Sequence, residues 1–524
     1  NEAHMTTNGR PYYTPQYIEA TKKAYGLLPN DNPELYNPYL YPNVDWTKSL
    51  FNEWGHNRRV NTNVSGGSPN VNYYVSLSYY GETGLTKKFK MQEYDTGIQF
   101  DRYNFMTNLN IRPTSSTQID VGAGGYISEG NYPEVSTNDL YTSAMDMNPV
   151  YMPLMMPDGS VSGRRQSGDN DKYNPYASLA RRGYKNEYRS TINTNLKLSQ
   201  DLGFWNWSEG LKLNGLIAFD NYTGRDLYYS KRESSFYYDA KIDPETGLWE
   251  NDILNSDGTY KMTRTYQGHD ELQLGGGTDS NRSFYLESSL NYEKIFGDHR
   301  VSGLFVYNQK TYRNTTADNL RYTLAYKTQG IALRATYSWM DRYFAEFNLG
   351  YNGSENFSPG KRFGTFPAFG VGYVISNEKF WSPLSKYITH LKFRYTDGKV
   401  GSDAVGDRRF MYLAEMGGNE GYRFGTGYGY HGGWGISKYR VNVGWSTSRK
   451  QDLGMDVSFL SNSLNFTVDL FKERRKDIFL RRATVPSYTG WTEMPYANLG
   501  VIDNKGIEFA VDWNIKLAEN SLLT

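Results

Sequence analysis

The chain has no cysteine among its 524 residues, which removes disulfide frameworks and thiolate metal sites from consideration. It also lacks any uninterrupted apolar run of the roughly 20 residues that a membrane-crossing helix requires. Neither sign of charge is in excess: 57 Lys and Arg stand against 56 Asp and Glu, so there is no basic footprint for nucleic acid. Histidine is scarce. His4, His56, His269, His299, His390 and His431 are scattered without H-E-x-x-H or paired-ligand spacing. G-x-S-x-G and Walker A sequences are missing too, and the reading is not an enzyme.

What remains is an unusual mixture. Only 38% of residues are hydrophobic, yet 16% are aromatic, with 47 Tyr and 11 Trp, and mean hydropathy is −0.71. A disordered chain would lack those aromatics. A transmembrane β-barrel reconciles the numbers, because only every second residue of its membrane band must be apolar.

Two-residue alternation supplies the direct signal. Leu453, Met455, Val457 and Phe459 are apolar, and Asp452, Gly454, Asp456 and Ser458 between them are polar or small. After the tight link Leu460–Ser463 the pattern resumes at Leu464, Phe466, Val468 and Leu470. Successive side chains of a strand point to opposite faces, so each segment has one oily and one wet side. The same rule places strands at 60–64, 71–79, 103–111, 119–123, 192–198, 211–219, 284–292, 301–307, 331–337, 343–349, 369–373, 391–395 and 507–513. About fifteen antiparallel strands are expected, several of them near the roughly 9–11 residues that cross a bilayer obliquely. Trp205, Trp207, Trp339, Tyr343 and Trp513 sit near strand ends, as an interfacial girdle would.

The connectors alternate between short and long. Long excursions are expected at 130–187, 223–280, 402–448 and 475–502, rich in Tyr, Arg, Asp and Asn. Short periplasmic turns at one end and long extracellular loops at the other are the signature of a bacterial outer-membrane barrel. The Pro-punctuated stretch 1–57 reads as an irregular extracellular segment, and 58–524 as a partial barrel. The competing class is a secreted all-β glycan-binding or adhesion module, which has no reason to alternate loop lengths so regularly.

Several stretches, in order along the chain, resemble the SusC/RagA-like branch of TonB-dependent outer-membrane transporters typical of Bacteroidetes. Tyr41-Pro42-Asn43-Val44-Asp45-Trp46 is similar to that family's N-T-D-W segment, with Val44 in place of Thr. Val64-Ser65-Gly66-Gly67-Ser68 followed by Tyr73–Tyr80 resembles its S-G-G hairpin, and Asp341-Arg342-Tyr343 its D-R-Y corner. Phe363–Phe369, Lys476-Asp477-Ile478 and Asn498–Glu508 resemble later family segments.

The resemblance implies a 22-stranded barrel occluded by an N-terminal plug and a SusD-like lipoprotein lid. It implies energy from the TonB–ExbB–ExbD complex, and import of oligosaccharides, with oligopeptides as the alternative. Lipid and lipopolysaccharide would surround it, and a dimer of transporter–lipoprotein pairs is one assembly it allows. The plug, the first strands and the last strands have no counterpart here. Asn1–Arg10 lacks an apolar core for export, and Leu522-Leu523-Thr524 lacks the family's aromatic finish. The chain is therefore expected to be an internal piece of a longer protein.

Candidate sites are few. Asp403, Arg408 and Arg409 follow Lys399-Val400-Gly401-Ser402, which resembles the family's strand exit into a loop. They are candidate substrate contacts at the lumen rim, with Tyr412, Tyr151 and Trp249 beside them. Solvated loop charge is the competing explanation. Gly427–Gly432 formally matches G-x-G-x-x-G but has no following helix, so no dinucleotide cofactor is expected. Asp169, Asp171 and Asn174 lack the full calcium-loop pattern and read as a solvated turn; a structural calcium ion in the loops is the alternative, and no other metal is expected.

Overall fold

The computed structural model describes the chain apart from residues 1–12, 91–93, 164–172, 251, 318–319, 407, 419–420, 490–493, 519–520 and 524. Fifteen strands form one sheet. They are β1 (His56–Ser68), β2 (Val71–Thr83), β3 (Gln99–Thr114), β4 (Thr117–Pro133) and β5 (Gly183–Asp201). Next come β6 (Leu211–Arg232), β7 (His269–Phe296), β8 (His299–Asn314), β9 (Tyr326–Trp339) and β10 (Tyr343–Ser354). The series ends with β11 (Phe363–Val374), β12 (Ile388–Ser402), β13 (Ser446–Phe459), β14 (Leu464–Arg481) and β15 (Tyr496–Trp513). Each is antiparallel to the next in chain order, and β1 and β15 are the two edges. All fifteen alternating segments of the sequence lie in this wall.

Links at one end are tight. Phe296 pairs with His299 across a two-residue turn in which Gly297 has φ of 58°. Trp339 pairs with Tyr343 across Met340, Asp341 and Arg342, the first two with φ above 50°. Such left-handed turns match the twist of the flanking strands, which offsets the cost of positive φ in a non-glycine residue. The 375–387 link is longer and is filled by two 3₁₀ turns. At the other end run the excursions 134–182, 233–268, 403–445 and 482–495.

These excursions are shorter than the sequence suggests because the strands continue into them. The shortest wall strands have 12 residues and the longest, β7, has 28. Polar positions beyond the apolar band carry no lipid-facing signal, but their backbone groups still complete the ladder. The wall therefore overshoots the bilayer on the long-loop side.

Cross-strand register sorts the side chains into rows. Phe393, Met455, Val468 and Phe509 align across β12–β15, with Tyr395, Leu453, Leu470 and Ile507 in the next row of the same face. Leu453, Leu470 and Phe509 are 49%, 46% and 72% exposed. A Leu or Phe left in water forgoes roughly 1.5–3 kcal/mol, and only lipid recovers that over so many positions. A one-residue slip would turn every row over. At the short-turn end the rings of His299, Trp339, Tyr343 and Tyr373 stack in succession.

The stretch expected to be irregular holds two helices among its described residues, α1 (Pro15–Ala24) and α2 (Trp46–Leu50). Thr14 caps α1 by accepting from the Tyr17 N–H, with Pro15 at the first position, and Asp45 caps α2 through the Lys48 N–H. The 134–182 excursion adds α3 (Thr137–Asp146), capped by Ser136, and α4 (Pro175–Ala180), capped by Asn174. Trp46, Leu50, Leu140, Met152 and Leu179 form one buried core. Leu40, Tyr41, Met156, Tyr238 and Ile253 form another, alongside a three-stranded sheet of Val161–Ser162, Ser235–Tyr238 and Met262–Tyr266. The loops thus fold into a packed cap over part of the wall.

Candidate ligand-binding rim

Where β12 ends, Asp403 turns back into the wall. Its carboxylate accepts from the Tyr326 hydroxyl at 2.9 Å and the Ser354 hydroxyl at 2.6 Å, while Asn356 Nδ2 donates to its backbone carbonyl. Arg409 lies beside it. Its guanidinium donates to the carbonyls of Leu324 and Ala325 at 2.6 and 2.8 Å and lies over the Phe410 ring. Burial pulls the Arg409 pKa below the ordinary guanidinium value. Arg321 donates to the Arg409 carbonyl and pairs with Glu415, which also holds Lys438.

The structure brings Asp403, Arg408, Arg409 and Tyr412 into one short segment, and much of their polar capacity serves to fasten it. Arg408 stacks over Tyr496 at 4.2 Å and lines a small cavity of about 30 Å³ with Arg321, Met411 and Val441. Tyr412 meets Phe410 edge-on. Phe410 is buried with φ of 51°, a conformation that costs a non-glycine residue about 1 kcal/mol or more.

Tyr151 and Trp249 lie elsewhere, within the cap. Tyr151 packs on the first cap core. Trp249 donates from Nε1 to the Leu40 carbonyl at 2.9 Å, its N–H reaches the Tyr41 hydroxyl, and its ring meets Tyr238 edge-on. Of the acidic cluster, Asp169 and Asp171 fall outside the described residues. Asn174 is buried, not in a solvated turn: its amide donates to Leu154 and Ser162, and its oxygen accepts from the N–H groups of Tyr176 and Ala177. That leaves its oxygen committed to the cap of α4.

Two features escaped the sequence reading. The first is a finger within 403–445, made of two nested hairpins, Glu415–Gly418 with Trp434–Lys438 and Tyr422–Phe424 with Gly429–His431. Tyr422, Phe424, Tyr428 and Trp434 on it are each more than 60% exposed. The Gly/Tyr alternation from Gly421 to Gly435 was the available signal, and Gly427–Gly432 is part of this finger. The second lies on the polar face of the wall, where Arg394 is ringed by Asp452, Asp456 and Asp469 at 3.3, 3.3 and 2.6 Å.

A wall of this topology, oily on one face, with tight links at one end and folded loops at the other, is that of an outer-membrane β-barrel. Residues 157–523 match the family described as TonB dependent receptor-like, beta-barrel, and the chain belongs to it. It is similar to the TonB-dependent receptor P3 of Formosa agariphila, 22% identical over 492 residues, 90% of this chain and 44% of that protein. The TonB-dependent receptor SusC of Bacteroides thetaiotaomicron is 23% identical over 526 residues, 94% of this chain and 49% of SusC. The chain spans about half the length of the curated relatives it matches. The RagAB peptide importer in its closed-closed state shares the fold, with a TM-score of 0.61 at 16% identity over 96% of this chain and 54% of that one. The expected SusC/RagA kinship and outer-membrane location hold.

Proposed function

We propose that the full-length protein imports oligosaccharides through the outer membrane, capturing them at the long-loop end beneath a SusD-like lipoprotein and drawing energy from TonB on the opposite side. One observation carries the substrate class: Tyr422, Phe424, Tyr428 and Trp434 stand exposed on the finger. Sugar rings offer apolar C–H faces ringed by hydroxyls, so solvent-exposed aromatic platforms suit them. Asp403, Arg408 and Tyr412 are proposed as rim contacts reached after the finger. Arg409, Tyr151 and Trp249 act through the loops they hold.

Oligopeptide import is the second reading, favoured by the shared fold with the RagAB peptide importer. Titration calorimetry on the purified full-length transporter with its lipoprotein, using neutral oligosaccharides and mixed oligopeptides, separates the two. Saturable sugar binding that weakens in Trp434→Ala is the expected result. Peptide binding without sugar binding would replace the first reading by the second. In cells lacking TonB, surface binding should persist while internal accumulation stops.

A further inference from the structure

The apolar face of β12–β15 changes character abruptly toward the long-loop end. Above the row of Tyr395, Leu453, Leu470 and Ile507, the next row on the same face reads Asp397, Gln451, Lys472, Lys505. The row above that reads Lys399, Arg449, Arg474, Asp503. Five cations thus stand against two carboxylates directly over the lipid-facing band. Asp397 is taken by Arg449, in a two-pronged pair at 2.9 and 2.5 Å, and Asp503 lies 3.5 Å from Arg474. Lys399, Lys472 and Lys505 are exposed and have no carboxylate partner among the described residues.

The arrangement works against the sheet. Lys472 is directly opposite Lys505, and Arg449 directly opposite Arg474, and like charges in register destabilise a strand pair. An anion between them reverses the sign of that interaction. Neighbouring strands are about 4.8 Å apart, so one phosphate reaches both lysines of the lower row. A groove of about 610 Å³ joins the two zones, lined by Tyr395, Leu453, Leu470 and Ile507 below and by Lys472 and Lys505 above.

We infer that this face binds an anionic lipid of the outer leaflet bearing phosphate monoesters, its headgroup on Lys472, Lys505 and Arg474 and its acyl chains on the apolar rows beneath. Clustered lysine and arginine at a membrane surface attract anionic headgroups, and the adjoining apolar groove is what distinguishes an amphiphile from a free anion. This rests on the outer-membrane location and is independent of which substrate the rim takes.

Native mass spectrometry of the full-length protein in detergent tests it, with diphosphoryl lipid A and phosphatidylethanolamine as probes. Lipid A should be retained, and retention should fall about tenfold or more in K472Q/K505Q. Lys450→Gln, which removes a cation from the opposite face of β13, should change nothing. Without lipid, the double variant should unfold at a temperature equal to or above that of the parent, because repulsion is relieved. Equal lipid A retention by parent and double variant would overturn the site. Equal retention of phosphatidylethanolamine, whose phosphodiester headgroup has no net charge, or displacement of lipid A by inorganic phosphate, would overturn the assignment to an anionic phosphomonoester lipid. Heat-modifiable gel migration reports folding of each variant separately.

Discussion

Arg394 and Gly454 face one another across β12 and β13, and the guanidinium fills the space that a Cβ on residue 454 would occupy. The bare backbone lets one cation cross to reach Asp452, Asp456 and Asp469. Gly454→Val should therefore displace the arginine and leave three carboxylates close together, costing about 1–3 kcal/mol from overpacking alone. Gly215→Ala, where the new methyl meets open space, should fall within about 0.5 kcal/mol of the parent. Chemical unfolding of the two variants in detergent makes the comparison, and a Gly454→Val as stable as Gly215→Ala would remove the steric argument.

Tyr238 gives the cap a pH dependence. Its hydroxyl is buried with no hydrogen-bond partner among the described residues, and burial raises its pKa above the ordinary 10.0. Tyr173, also in the cap region, is pushed up to about 12 by the same cause. A raised folded-state pKa contributes stability that is complete below pH 10, the unfolded value, and is lost as pH climbs through the folded value. The cap should loosen in alkali from about pH 10 upward. Tyr238→Phe should flatten that loss and leave neutral-pH stability unchanged or higher by about 1 kcal/mol, since an unpaired buried hydroxyl is removed. Hydrogen exchange over 233–268 between pH 8 and 11 (about three units) measures both.

Arg409 is expected to act as a fastener. Arg409→Ala frees two carbonyls at Leu324 and Ala325 and removes hydrogen bonds from a charged donor worth about 1.5–3 kcal/mol each. Exchange and proteolysis should rise across 403–445, with wall unfolding unchanged. Unaltered protection in that segment would show that other contacts hold the loop.

Trp434 tests the finger. Its indole is 78% exposed, so Trp434→Ala should leave stability within about 0.5 kcal/mol of the parent. Loss of an aromatic platform should still lower oligosaccharide affinity about tenfold. Calorimetry and thermal unfolding on the same preparation decide the matter, and intact affinity would direct attention to Asp403, Arg408 and Tyr412.

The wall was legible because its signal is local. Alternation such as Leu464, Phe466, Val468 and Leu470 is forced by the pleat, and every wall strand repeats it. The cap was not, because its contacts join residues far apart in sequence: Tyr41 meets Trp249 across 208 positions. Its helices are only 5 to 10 residues long, too short for periodicity to rise above noise, although Thr14-Pro15 and Asn174-Pro175 carried capping signals. At the rim, side-chain type was visible and direction was not. Arg409 is a charged loop residue by sequence; only its position against Leu324 and Ala325 makes it structural.

The length of β7 has one further result. Crossing a bilayer takes roughly 9–11 tilted residues, and β7 has 28, so the ribbon continues well above the leaflet. The 233–268 excursion, which joins β6 to β7, is consequently carried at the top of a tall ribbon, clear of the oily rows that meet lipid.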